Sequence, residues 1–272
     1  MRPGRLAAAL AVALACIVPA MASEPPRRIV SLNLCADQFV LALADRDRIV
    51  ALSRLATDPA ISAAADAARG LPQTGGTAEE VLSLNPDLVL VGPLDRLGTA
   101  RILAARGFRV ERMALPATFA ETQAEIRRIA ALVGHPERGE ALAARLDALP
   151  LQLGRMPAAL PYERRGYAAG AASLTGEVLS RAGFRHADQG SAGLGRFVPL
   201  EAIVAARPDA LVVSETAARA ADHGSALLLH PVLARLFPSE RRVTLPAALT
   251  VCPGPALADA VEHLAEARRR LP

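Results

Sequence analysis

Apolar runs of four or five residues alternate along this chain with stretches whose apolar positions recur every three or four residues. The first run, Ile29-Val30-Ser31-Leu32, follows Pro25-Pro26 and has the continuity of a strand buried on both faces. Asn33 to Ala36 leads into a helical pattern at Phe39, Leu41 and Leu43, and Arg48 to Leu52 gives a second strand. Leu71 to Thr77 reads as a turn-rich connection, Leu88 to Val91 as a strand, Gly98 to Arg106 as a helix stopped by Gly107, and Phe108 to Met113 as one more strand. Strands alternating with helices imply right-handed crossovers and mainly parallel sheets.

One unit occurs twice. Ala78 to Gly92, AEEVLSLNPDLVLVG, starts as a helix, stops at Pro86 and ends as a buried strand; Glu201 to Ser214, EAIVAARPDALVVS, repeats it with Pro208 on Pro86, an offset of 122. The register pairs Glu201 with Glu79 and Asp209 with Asp87, so the spacing predicts two similar α/β lobes. Between them, Thr118 and Glu121 have capping-box spacing at the head of a helix through Ile126, Ile129 and Leu132. Gly134-His135-Pro136 interrupts it, and a second helix runs on through Leu142, Leu146 and Leu149. Two roles fit this segment: a rigid spine between lobes, or an ordinary surface helix of a single domain.

Pro157 to Pro161 reads as a further break. After it come a strand at Gly166 to Gly170, a helix at Thr175 to Ala182, a loop at Gly190 to Gly195, the repeat, a late strand at Arg241 to Leu245 and a last helix from Ala256 to Arg270. The expected division is a signal peptide at 1–22, a first lobe at 23–117, linking helices at 118–156 and a second lobe at 157–272.

The signal reading rests on Arg2 and Arg5 ahead of an apolar run from Leu6 to Val18, and on Ala20-Met21-Ala22 as a cleavage site. Lipoprotein processing at Cys16 competes, but Ala13-Leu14-Ala15 is a poor lead-in to it. Nothing after it approaches the ~20 uninterrupted apolar residues of a membrane span. Losing Arg2 and Arg5 lowers the formal charge from +4 to +2. The remaining bases are arginines scattered among acids without aromatic interleaving, which argues against nucleic acid as a partner. At 52% hydrophobic the chain has ample core, and with 3% aromatic residues and no tryptophan, a ligand site has few rings to stack with.

The common chemistries fail one by one. No GxxxxGK[ST] occurs, Gly193-Leu194-Gly195 lacks the third glycine of GxGxxG, no GxSxG elbow exists, and the chain contains no lysine. His135, His186, His223, His230 and His263 form no metal-ligating pattern. Thr74-Gly75-Gly76-Thr77 offers backbone N–H groups to a small anion, or is simply a tight turn. Cys35 and Cys252 lie in loops at ligand-facing strand ends, one in each half. They read as a disulfide, as two separate buried thiols, or as soft ligands meeting a metal across a cleft. A bond closing so long a loop would contribute roughly 5 kcal/mol by chain entropy.

The opening RRIVSLNLCADQFVLALADRDRIVALS, the two helix–Pro–Asp–strand units and the central helices together resemble the periplasmic substrate-binding proteins of ABC importers for vitamin B12, iron–siderophore complexes and haem. The resemblance implies an α/β fold of two Rossmann-like lobes with mainly parallel sheets joined by one long helix, limited hinge motion, no catalysis, and a metal chelate held in the interlobe cleft. It further implies a monomer in the periplasm that delivers its cargo to an ABC permease and its ATPase, meeting the membrane only through them. In the vitamin B12-binding member, a glutamate seven residues before the Pro-Asp of each lobe meets permease arginines; Glu79 and Glu201 fill those places, although each alone also suits a helix start.

For the cleft, the loops after Leu32, Leu52, Val91, Ala169, Val213 and Leu245 carry Asn33, Leu34, Cys35, Arg54, Gly75 and Arg96 in the first half, and Tyr167, Phe197, Glu215 and Cys252 in the second. Arg54, Arg96 and Arg196 suit an anionic siderophore, Tyr167 a haem iron, and Tyr167 with Phe197 a corrinoid. No resident cofactor is expected. The cargo reading is a corrinoid or ferric siderophore, with a haem binder, or a thiol or metallochaperone protein using Cys35 and Cys252, as alternatives.

Overall fold

The computed structural model describes residues 24–149, 154–187, 193–214 and 223–272. The expected signal segment, with Cys16, lies outside the described residues, as does Glu215. The first sheet contains β1 (Ile29–Ser31), β2 (Ile49–Ser53), β3 (Gln73–Thr74), β4 (Leu88–Val91) and β5 (Val110–Arg112) in the order β3-β2-β1-β4-β5, all parallel. The second holds β6 (Ala158–Pro161), β8 (Arg185–His186), β10 (Ala210–Ser214) and β11 (Arg242–Leu245) in the order β11-β10-β6-β8, again parallel. Strands β7 (Tyr167–Ala169) and β9 (Gly195–Phe197) form a separate antiparallel ribbon.

Alternate residues of each sheet reach one shared core. Ile29, Leu88 and Leu90 of the first sheet and Ala159, Ala210, Val212 and Val243 of the second all belong to it. The opposite faces serve local cores: Val30, Val89 and Val91 in one lobe, and Leu160, Leu211 and Val213 in the other. Between the sheets lie α1 (Leu34–Leu43), α5 (Phe119–Val133), α6 (Pro136–Asp147), α7 (Leu174–Arg181) and α10 (Leu257–Arg269), burying Phe39, Ile126, Leu146, Leu179 and Leu264 in the same cluster.

The segment expected to link the lobes forms two helices, α5 and α6, divided at Gly134. The two run antiparallel: Gln123 donates to the Ala143 carbonyl at 3.0 Å and Arg127 meets Glu140 at 3.0 Å. A Cβ on Gly139 would stand 2.4 Å from that of Ala130, so only glycine permits this approach. Helix α6 ties to the first lobe through Arg138, which donates to Leu43 O at 3.0 Å and to Asp45 at 2.7 Å. It ties to the second through Arg145, paired with Asp259 at 2.7 Å and Glu262 at 3.1 Å. At the head of α5, the Phe119 N–H donates to Glu177 of α7 at 2.9 Å, and the Arg181 guanidinium lies 4.2 Å above the Phe119 ring.

The repeat is α3 (Ala78–Leu84) with β4, and α8 (Leu200–Ala206) with β10. Each helix ends on a left-handed residue, Asn85 (φ 45°) and Arg207 (φ 43°), before its proline. The aspartates that follow clamp the neighbouring strand. Asp87 accepts the N–H groups of Arg27 at 2.7 Å and Arg28 at 2.9 Å, and Asp209 accepts that of Ala158 at 2.7 Å.

Strand β6 corrects the reading of Pro157 to Pro161 as a break. The strand is central and fully buried, and Pro161 is tolerated because its missing N–H falls on the side of β8, past the pairs made by Ala158 and Ala159, while Tyr162 still donates to Val212 O on the β10 side. The edge strand β3 likewise forms within the stretch expected to be turn alone.

Replacing Asp209 by Ala should strand the buried Ala158 N–H and cost about 1–3 kcal/mol, seen as a lower urea midpoint at unchanged slope. A midpoint equal to wild type would show that the clamp carries no stability.

Candidate functional site

Ligands of open parallel sheets bind beyond the carboxyl ends of the strands, at the point where strand order reverses. In the first sheet that point lies between β1 and β4, and Asn33 and Asp95 occupy it. Asn33 Nδ2 donates to Asp95 at 2.9 Å, while its Oδ1 accepts the N–H groups of Cys35 at 2.8 Å and Ala36 at 3.3 Å and so caps α1. A Cβ on Gly92 would stand 2.2 Å from Asp95 Oδ1 and 2.6 Å from Asn33 Nδ2, so glycine is what lets the pair close over the strand end.

Beside it, Glu80 draws the glycine turn together. Its carboxylate accepts from the Thr74 hydroxyl at 2.7 Å and the Gly75 N–H at 2.5 Å, with Arg54 at 3.9 Å. The Thr74 hydrogen bond, the Gly75 amide and the Arg54 charge hold its pKa below the usual glutamate value. Arg96 lies over the same turn, 3.2 Å from where a Gly76 Cβ would be. The structure thus brings Arg54, Gly75 and Arg96 together, but with Glu80 already occupying the turn's donors. Leu34, expected in the cleft, is 6% exposed and packs inward.

Below them Asp37 of α1 accepts from the Ser53 N–H at 3.1 Å and from its hydroxyl. Burial pushes its carboxyl up to about 6 against the opposing pull of hydrogen bonds from Ser31 and Ser53.

On the second lobe, Tyr167 and Phe197 pair edge to face with centroids 5.8 Å apart, and the Tyr167 hydroxyl donates to Leu194 O at 3.2 Å. Phe197 is 69% exposed, so this ring is the one offered outward. Arg196 precedes Phe197 on β9 and stands opposite Ala168 of β7.

Cys35 and Cys252 are joined in a disulfide with Cα atoms 5.2 Å apart, within the range such a bond requires. It links α1 of the first lobe to the loop ahead of α10 in the second, where a Gly254 Cβ would stand 2.9 Å from the Phe39 ring. The thiol and metal-ligand readings fall away with the bond. Among the described residues no group of three metal-ligating side chains occurs. Of the described histidines, His135, His186, His230 and His263 hydrogen-bond within the fold.

Sequence reasoning missed Glu163. In register, Ile29 faces Leu88 as Ala159 faces Ala210, and the Leu32 N–H donates to Leu90 O at 2.9 Å as Tyr162 donates to Val212 O at 2.8 Å. Continuing one residue, Glu163 stands in the second lobe where Asn33 stands in the first. Burial pushes its carboxyl up to about 7. Its signal lay in the repeat register, which stayed hidden while β6 was read as a break.

Residues 29–238 match the family model described as "Periplasmic binding protein". The chain belongs to the periplasmic binding protein family. Members of this family are the non-catalytic substrate-binding components of ABC transporters, cobalamin, haem and siderophore binders among them. The chain is 29% identical over 213 residues to a cobalamin-binding protein of Halobacterium salinarum, covering 75% of this chain and 58% of the relative's length. The periplasmic haem-binding protein RhuT from Roseiflexus sp. RS-1 is 27% identical, with a TM-score of 0.69 over 89% of this chain and 98% of that one. The vitamin B12-binding protein BtuF of Vibrio cholerae shares the fold at 21% identity and a TM-score of 0.61, over 90% of this chain and 97% of its own. These periplasmic binding proteins match the two-lobe α/β architecture across nearly the whole described chain.

A raised carboxyl pKa means the fold prefers the protonated form. The stability that Glu163 contributes is therefore full below its ordinary value near 4.5 and is lost as pH rises toward about 7. Glu163→Gln should match wild type at about pH 4 and exceed it by on the order of 2 kcal/mol at about pH 8, measured by urea unfolding. A gap independent of pH would refute the desolvated carboxyl.

Proposed function

We propose that this periplasmic binding protein captures a metal chelate between its lobes, a corrinoid in the first instance, and hands it to an ABC permease. The observation that carries the corrinoid reading is the apolar surface at the carboxyl ends of the strands. Leu55 follows β2, Leu94 (79% exposed) and Leu97 follow β4, Val251 follows β11, and Leu194 and Phe197 extend from the ribbon. Apolar side chains left in water at one end of both sheets favour a large ligand with apolar faces. The cobalamin-binding relative supports the same choice. A ferric siderophore is the second reading, favoured by Arg54 and Arg96 beside the glycine turn.

Titrating the exported protein with cyanocobalamin, haem and a ferric hydroxamate, and following the cargo's own absorption because the protein has no tryptophan, tests this directly. Saturable binding of cyanocobalamin is expected, and binding of none of the three would sink the reading.

Delivery requires a docking surface. Glu79 and Glu201 lie in the first turns of α3 and α8, exposed and without an ion-pair partner among the described residues. Glu80, next in the chain, is bound to its own turn, so Glu79 alone of the two is free for a partner's arginine. Two such carboxylates, one per lobe, would register a monomer on a permease by charge complementarity. Reversing both to Arg should lower transport at least about tenfold while cargo affinity stays unchanged. Transport at the wild-type rate would remove these residues from docking.

A further inference from the structure

Asn33 and Glu163 occupy equivalent places at the two reversal points, yet the fold treats them differently. Asn33 is consumed on both sides: its amide nitrogen by Asp95 and its oxygen by the cap of α1. Glu163 is held only by its backbone. Its N–H donates to Tyr167 O at 2.6 Å and its carbonyl accepts from the Gly166 N–H at 3.2 Å, closing a tight turn that fixes the residue between β6 and the aromatic ribbon. The carboxyl itself is half-buried and forms no hydrogen bond or ion pair among the described residues. An unpaired carboxyl withdrawn from water is costly, and a fold that keeps one at a ligand-facing strand end has a use for it.

We infer that Glu163 is a specificity-determining residue of the cleft, accepting hydrogen bonds from N–H groups on the rim of the cargo. This rests on the cargo reading given above and narrows it. Primary amides arrayed around a macrocycle are donors that the carboxyl accepts, and donors brought to it favour its ionised form, whose hydrogen bonds are stronger than a neutral acceptor's. Cargo that presents carboxylates or other anionic oxygens offers no such donors and opposes that ionisation, so it is disfavoured relative to an amide-bearing cargo. The two lobes then read different things. The first offers arginines and a glycine turn, whereas the second sets two rings and one acceptor beside Arg196.

Binding of cyanocobalamin, haem and a ferric hydroxamate to wild type, Glu163→Gln and Glu163→Ala tests the assignment, with folding of each variant checked by circular dichroism. The expected result is a loss of cyanocobalamin affinity of about tenfold or more in Glu163→Ala, a smaller loss in Glu163→Gln, which keeps an acceptor, and a gain for haem in both variants. Wild type binding cyanocobalamin with both variants binding it equally well would overturn the role of Glu163 and leave the cargo reading standing. Wild type binding haem or the hydroxamate but no corrinoid would overturn both. If Glu163→Ala fails to fold, Glu163→Gln decides alone: unchanged preference between cyanocobalamin and haem overturns the inference.

Discussion

The two lobes share a hydrophobic core, and everything else in the molecule is arranged around that fact. In a two-lobe protein with separate cores, relative motion costs only what the linker costs. Here residues from both sheets are buried in one cluster with α1, α5, α6, α7 and α10 between them. Opening the lobes widely would expose part of that cluster at about 25 cal/mol per Å² of apolar surface. The ion pairs of Arg138 and Arg145 sit at the edge of the core and contribute less, being partly exposed. Packing resists wide opening more than the salt bridges do.

Internal symmetry extends further than the repeated helix and strand. The left-handed residue, the proline and the clamping aspartate recur in each half, and the aspartate grips the first strand of its sheet at corresponding backbone positions. The halves differ where ligands bind. At matched positions one carries a neutral amide fully engaged by its neighbours and the other a carboxyl left to itself. Structure is conserved between the halves in the scaffold and divides at the strand ends.

Most of the scaffold was legible in the sequence because its strands are continuous apolar runs and its helices carry their own caps: Thr118 accepts the amide that its capping-box spacing predicts, and Asn33 and Thr77 cap α1 and α3 in the same way. Strand β6 was not, because alanines flanked by prolines give neither β-propensity nor a clear pattern, and burial by neighbours from both sides made the strand instead. The candidate site was legible only in outline. The spacing placed Arg54, Gly75 and Arg96 in facing loops, but nothing in it showed that Glu80 would claim the turn, that Leu34 would turn inward, or that Phe197 rather than Tyr167 would present its ring. Those depend on contacts between segments far apart in sequence, and single-sequence periodicity carries no information about them.

The disulfide has a temporal meaning as well as a spatial one. A ribosome makes Cys35 early, and its partner comes 217 residues later, after all strands of both sheets have been synthesised. Until then the first sulfur has no native partner in the chain, so the bond cannot guide any folding that precedes the synthesis of Cys252. Its closure waits on the far end of the chain, however early the first lobe is ready.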